Sequence, residues 1–341
     1  MKKLHIFLML ASLVMLASCE SNTEPTPDPT PIFGKRLLIL NEGGFGKGNS
    51  SLDAWSYKDT AETDNILPGL GDTGNDIKLI DDEVYIVMNE SNKIWVLTSD
   101  SLKVVNTIAF ETDFDPTQIA KTADGEAMVP LLHRDSVAVI DTKTNTIKGY
   151  IPVNAKGRGI GVVNHSAYIA NDSGGVTVIN TISKEVTSVN NIMVNPFDVE
   201  VDSSRSVIIL IGIGDFMTGA PPEVVWLDAA TNKVLKKLTF TSADYFLSNY
   251  GSFIGGDKLY LTFGDRVAIA DLSSRTVTNN SFIAKGYYAG AFDSQTSELI
   301  FGDPKDYTNN GSVDFYNSST AAITKTLTAG VIPARFLIYT K

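Results

Sequence analysis

The sequence predicts an all-β ring of seven four-stranded sheets, and three features carry that expectation. The first is a short apolar run that ends in a polar turn and recurs at residues 37–40, 84–87, 127–130, 167–170, 207–210, 259–262 and 299–302. The starts lie 47, 43, 40, 40, 52 and 40 residues apart, and a period near 40 in β-rich sequence marks the blades of a propeller. The second is a companion run within the units, at 94–97, 137–141, 176–180, 224–228, 267–271 and 313–316. A polar turn follows, then a further run such as 146–151 or 233–238, while an inner strand such as 197–201 precedes the series member. The third is the complementarity of the two ends. The first unit opens on its second-strand run at Leu37 with no inner strand before it, and the last is followed by a spare run at 332–339. A lone four-stranded sheet cannot bury both faces, so the units must stack around an axis. An open edge would invite pairing with other chains. The expected fold is therefore a seven-bladed β-propeller whose C-terminal strand completes blade one.

In chain order, the first element is not part of that fold. Lys2 and Lys3 precede an apolar stretch at 5–16 that is broken by Ser12. This is the layout of a secretory signal, and the stretch falls short of the roughly 20 residues a spanning helix needs. It ends in Leu16-Ala17-Ser18-Cys19, which resembles the lipobox of bacterial lipoproteins. The resemblance implies cleavage after Ser18, diacylglycerol on the Cys19 thiol and an outer-membrane location, with the acyl chains as the membrane attachment. Residues 19–32 follow, with Pro25, Pro27, Pro29 and Pro31 alternating with small polar residues. Such a segment cannot build a core and reads as an extended spacer. The boundaries expected are thus signal 1–18, spacer 19–32 and propeller 33–341.

Composition narrows the function. Cys19 is the single cysteine, so the folded part has neither disulfide nor thiolate chemistry. The formal charge is −11, and −13 once Lys2 and Lys3 leave with the signal. An acidic domain without a basic run is a poor ligand for nucleic acid or anionic lipid.

The repeat unit itself carries a resemblance. Asp135-Ser136-Val137-Ala138-Val139-Ile140-Asp141-Thr142-Lys143-Thr144-Asn145-Thr146-Ile147 is similar to the YVTN-type repeat of bacterial propellers. That specifies fold far more than function. The two ends add a narrower likeness. Leu38-Ile39-Leu40-Asn41-Glu42-Gly43-Gly44-Phe45, then Asn49-Ser50-Ser51-Leu52, and finally Gly330-Val331-Ile332-Pro333-Ala334 resemble the opening and closing of surface propeller lipoproteins from gut Bacteroidota. The best-understood members of that family capture cobalamin beside an outer-membrane vitamin B12 transporter. The resemblance implies that the chain binds a corrinoid, or another bulky nutrient or chelate, and hands it to a TonB-dependent transporter. No short motif carries ligand residues across.

Catalytic constellations are sparse, and no enzyme activity or cofactor is implied. Beyond the signal only His133 and His165 remain, too few for a three-histidine zinc site. No G-x-S-x-G elbow occurs. His133 neighbours Arg134, Asp135 and Ser136, but adjacent residues do not converge as a triad does. His165, just before a strand, reads as a turn residue. Residues 306–311 faintly resemble a calcium loop but place Asn317 where a bidentate glutamate is required, and read as a polar turn.

What remains is binding chemistry on loops. In a propeller, loops joining second and third strands open on the same face as those leading into inner strands. Three of the former are long, at 42–49, 212–223 and 303–311, and carry Phe45, Phe216, Met217 and Tyr307. Lead-in loops add Phe114, Tyr245, Tyr287 and Tyr288. Aromatic tips on a rigid ring are a usual way to wall a pocket. Asn41, Asn89, Arg134, Asn171, Asp265 and Asp303 are the polar candidates beside them. The expected function is ligand capture at the cell surface. A protein-interaction scaffold fits the same fold, and a lactonase-like enzyme fits it less well for want of histidines.

Overall fold

The computed structural model describes residues 34–341 except 59–61, 64, 68, 123, 124, 173, 247 and 249. The signal, Cys19, the spacer and Phe33 lie outside the described residues. Within them the chain is all β, in seven antiparallel four-stranded sheets. From the axis outward, blade one is Pro333–Thr340, Lys35–Asn41, Ser51–Ser56 and Glu62–Thr63. Blade two is Gly74–Ile80, Glu83–Met88, Lys93–Thr98 and Val104–Ala109. Blade three is Ala120–Lys121, Glu126–Pro130, Ser136–Asp141 and Thr146–Pro152. Blade four is Gly157–Val163, Ser166–Asn171, Gly175–Asn180 and Val186–Val189. Blade five is Pro196–Asp202, Val207–Gly212, Glu223–Asp228 and Val234–Thr239. Blade six is Phe253–Gly255, Lys258–Thr262, Val267–Asp271 and Thr276–Ile283. Blade seven is Ala289–Asp293, Glu298–Asp303, Asn310–Asn317 and Ile323–Val331.

Each predicted series member is the second strand of a blade, and the reason is burial. A second strand is covered on both faces by the neighbouring blades, so Val207–Gly212 is buried throughout, whereas the outer strand Val234–Thr239 is almost wholly exposed. The apolar residues gather into seven clusters, one between each adjacent pair of blades. Trp226 and Phe263, for example, pack between blades five and six. The core is thus a ring of seven layers, and each layer needs both of its blades.

The ring closes as the chain ends imply. Pro333–Thr340 pairs antiparallel with Lys35–Asn41, with Leu37 opposite Ile338 and Ile39 opposite Phe336. Ile332, at φ +57°, turns the chain into this strand, which therefore begins one residue later than the sequence run suggests. The third strand of blade one, Ser51–Ser56, is absent from the sequence series because Asp53 and the terminal serines interrupt its apolar alternation.

The turns after the third strands of blades three to seven repeat a side-chain device. Oδ1 of Asp141, Asn180, Asp228, Asp271 and Asn317 accepts hydrogen bonds from the backbone N–H groups two and three residues on. Four residues on, Asn145, Lys184, Asn232, Arg275 and Ala321 adopt positive φ to close the turn. This Asx turn is why an Asp or Asn followed by Thr or Ser recurs along the sequence. The backbone N–H bonds hold the carboxyls of Asp141 and Asp271 below the usual range, and the Thr231 hydroxyl does the same for Asp228. Buried tyrosines then tie blades together. Tyr168 of blade four donates to Ala229 O and Asn232 Oδ1 in blade five, each at 2.8 Å, and Tyr85 of blade two donates to Asn145 in blade three. Gly159 permits a close approach of the inner strands of blades four and five, since a Cβ there would lie 2.7 Å from Asp198 Cα.

Candidate functional site

Each inner strand runs away from its lead-in loop, so lead-in loops and second-to-third loops share one face. Residues 213–222 form a projecting hairpin on that face. Asp215 and Ala220 exchange backbone hydrogen bonds at 2.9 and 3.0 Å, and Asp215 Oδ1 accepts from Met217 N at 2.8 Å. That N–H bond, then the Thr218 hydroxyl, holds the Asp215 carboxyl below its ordinary range. Gly214 takes φ +73° with Ala220 O only 2.3 Å from the position of a Cβ, so no other residue fits there. The hairpin presents Phe216 and Met217 at its tip, 98% and 88% exposed.

Opposite stands the lead-in of blade six. Asp244 Oδ2 accepts from Thr241 N and Oγ1, and its Oδ1 accepts from Arg266 Nη2 at 2.6 Å. Arg266 lies 4.4 Å over the Phe263 ring, on which Phe246 also stacks at 4.8 Å. This base holds Tyr245 above Gly264, where any side chain would collide with its ring, and leaves it 57% exposed. Between hairpin and lead-in lies a groove of about 790 Å³, lined by Ile213, Asp215, Phe216, Gly219, Ala220, Ser242, Ala243, Asp244 and Tyr245. Its volume suits a bulky small molecule.

The groove continues around the rim. Ile213 also borders a recess of about 130 Å³ with Arg158, Asp172, Asn195, Pro196 and Phe197. Asp172 and Asn195 in turn border a cleft of about 530 Å³ with Asn191, Met193, Val194, Glu223 and Lys237. The three form one trough from blade four to blade six, apolar at one end and polar at the other.

Of the sequence candidates, Phe216 and Tyr245 line this trough, and Met217 stands beside Phe216 on its lip. Phe45 is 76% exposed on the blade one loop. Tyr288 and Tyr307 meet edge to face at 5.9 Å, and Tyr288 donates to Glu42 Oε2 at 2.7 Å. Desolvation raises the Glu42 carboxyl and the Tyr288 hydroxyl.

The other candidates are engaged elsewhere. Asn41 is buried and donates to Asp53 and Ser51. Asn89 donates to Pro116 O, and Asn171 is paired with Thr177. Tyr287 is wholly buried, its hydroxyl between Asp314 and Tyr316. Asp265 pairs with Arg266, and Asp303 pairs with Lys285. Arg134 lies over the Phe114 ring, which itself packs on Tyr150. His133 bonds Asp115, and His165 occupies the two-residue turn before its strand at φ +60°. Asp306 caps its own turn through Thr308 and Asn309. Among the described residues no group of three or more His, Cys, Asp or Glu is placed to hold a metal.

Sequence reasoning missed Arg158, Asp172 and Asn195, which lie at strand ends and in short connections, away from the long loops. It also missed the axis. There the inner strands, with Tyr250 from the lead-in of blade six, bring together Asp76, Lys78, Glu200 and Arg335 around a channel cavity of about 210 Å³. Arg335 donates from Nε to Asn75 O at 2.9 Å and from Nη1 to Tyr250 O at 2.6 Å.

No family model matches the chain, and no curated protein does. Solved structures do. Apo AztD from Citrobacter koseri superposes with a TM-score of 0.65 at 8% identity, over 90% of this chain and 98% of that one. Hydrazine synthase of Kuenenia stuttgartiensis gives 0.63 at 16%, over 84% of this chain and 99% of that one. The computationally designed Ika8 protein gives 0.59 at 9%, over 89% and 96%. At these identities the likeness establishes the propeller fold and nothing finer.

Proposed function

We propose that the chain captures a bulky nutrient ligand in the rim trough and passes it on unchanged. The observation that carries this reading is the groove of about 790 Å³ between Phe216 on its hairpin and Tyr245 on its rigid base. Exposed aromatic side chains cost solvation unless they meet an apolar partner, and a preformed groove orders little on binding, which favours affinity. A corrinoid fits such a site well, with a broad macrocycle for the aromatic end and amide arms for Asn191, Asn195 and Asp172. A ferric chelate of similar bulk is the other candidate.

The sequence supports the rest of the pathway. Cys19 with its lipobox provides an outer-membrane anchor, and the Pro-rich spacer spans about 40 Å at ~3.1 Å per extended residue. Strand Lys35–Asn41 runs toward the trough face, so the chain enters the ring on the opposite face. The trough then points away from the tether, open to solutes, with spacer enough to turn toward a TonB-dependent transporter. In cells, Cys19→Ala should leave the fold intact and move the protein out of the membrane fraction. A variant that stays membrane-bound after a salt wash would refute the anchor.

Calorimetry with cyanocobalamin and a panel of ferric siderophores tests capture. One of them should bind, and Phe216→Ala with Tyr245→Ala should weaken it by roughly tenfold or more. No heat and no thermal shift with any of them would sink the reading and favour a protein-interaction scaffold, for which Phe216 and Met217 would be anchors.

A further inference from the structure

Resting on that capture reading, we infer that the recess beneath Ile213 is an oxyanion seat built on Arg158, so that the captured ligand carries a carboxylate, sulfonate or phosphoryl group beside its apolar body. Arg158 is the second residue of the inner strand Gly157–Val163. Its guanidinium lies 4.3 Å over the Phe197 ring. Phe197 meets Tyr250 edge to face at 5.1 Å, and Arg335 lies 4.3 Å over Tyr250. The result is an Arg–Phe–Tyr–Arg stack at the mouth of the axis, drawn from blades four, five and one and the lead-in of blade six.

The two ends of the stack differ. Arg335 spends donors on Asn75 O and Tyr250 O. Among the described residues none accepts a hydrogen bond from the Arg158 guanidinium, and none forms an ion pair with it. Yet Arg158 is half-buried and borders the recess that adjoins the groove through Ile213. The contact holds the guanidinium over the Phe197 ring and leaves its N–H donors unspent. A planar, positioned fork is what bidentate recognition of an oxyanion requires. Asp172 borders the same recess without pairing with Arg158, and the domain as a whole is acidic. Long-range attraction therefore contributes little, and the seat depends on close geometry with a ligand whose apolar body is already placed.

Two dyes of nearly equal apolar size separate this seat from the groove: anilinonaphthalene sulfonate and its neutral parent, phenylnaphthylamine. By fluorescence titration the sulfonate should bind the wild type roughly tenfold tighter than the neutral dye. Arg158→Gln should abolish that difference and leave the neutral dye unaffected. Arg158→Lys should restore only part of it, because an ammonium keeps the charge and loses the fork. An unchanged melting temperature certifies each variant as folded. Equal binding of the two dyes to the wild type, binding of neither, or an unchanged ratio in Arg158→Gln would overturn the seat. Capture itself is judged separately, by calorimetry with cyanocobalamin and the siderophores.

Discussion

Removal of residues 333–341 is expected to abolish the cooperative folding of the ring, an effect far beyond that of trimming a surface tail. The strand is the inner member of blade one and contributes to two inter-blade layers. Leu337 and Tyr339 pack toward blade two, and Phe336 and Ile338 toward blade seven. Its loss would uncover Leu37, Leu38, Ile39 and Leu40, all fully buried, and leave the edge of Lys35–Asn41 unpaired. It would also remove the Tyr339 hydroxyl bond to Ser99 O at 2.9 Å, which fastens blade one to blade two. Buried Tyr339 alone should cost about 3–5 kcal/mol on replacement by alanine, against a total stability of about 5–15 kcal/mol. Tyr339→Phe keeps the packing and loses one hydrogen bond, about 1 kcal/mol. Urea unfolding of the three variants should therefore rank truncation worst, then Tyr339→Ala, then Tyr339→Phe. A truncated protein with the wild-type midpoint would show that closure does not hold the ring.

That strand was legible in the sequence because its apolar residues lacked a partner elsewhere. The second strands were legible for a related reason: burial on both faces demands continuous runs such as Val207-Ile208-Ile209-Leu210. Inner strands were less so, although 197–201 shows as a run ahead of its series member. Ala120–Lys121 and Phe253–Gly255 are too short to show a period. Gly74–Ile80 and Pro196–Asp202 line the axis and mix Asp76, Lys78, Asp198 and Glu200 into the apolar pattern.

The same logic divides the site. Loop length and aromatic content pointed to Phe216, Met217 and Tyr245, because a long loop on a rigid scaffold has few other uses for an exposed ring. Asn41, Asn89 and Asn171 looked free, yet they sit at or just past the ends of second strands, where the blade closes over their amides. Arg158 was invisible because a strand residue between two glycines gives no sign of what it faces. Only the structure places it over Phe197 at the edge of the recess.

At the axis, Glu200→Gln is expected to stabilise the protein in alkaline buffer and to change little in acid. Desolvation first, then repulsion from Asp198, pushes the Glu200 carboxyl from 4.5 up to about 8, and Asp198 is itself raised by burial. Lys78 and Arg335 oppose the shift without cancelling it. Asp76 adds a further carboxylate to the same cavity, although it accepts from Ile77 N and Ile119 N at 3.0 Å each. A carboxyl raised in the folded state binds its proton more tightly there than in the unfolded chain. Between about 4.5 and about 8 the native state therefore holds the extra proton, and stability falls as pH rises through that window. The full penalty is reached above the folded value and is on the order of 3–5 kcal/mol for a shift of this size. Glutamine keeps the shape and hydrogen-bonding capacity and never ionises, so it escapes that penalty. Thermal melts should find the variant several degrees more stable than wild type near pH ~9 and nearly coincident with it near pH ~4. The pH dependence that remains in the variant belongs to Asp198, whose carboxyl burial also raises. Parallel melting curves across the whole range would show that Glu200 is not held protonated at the axis.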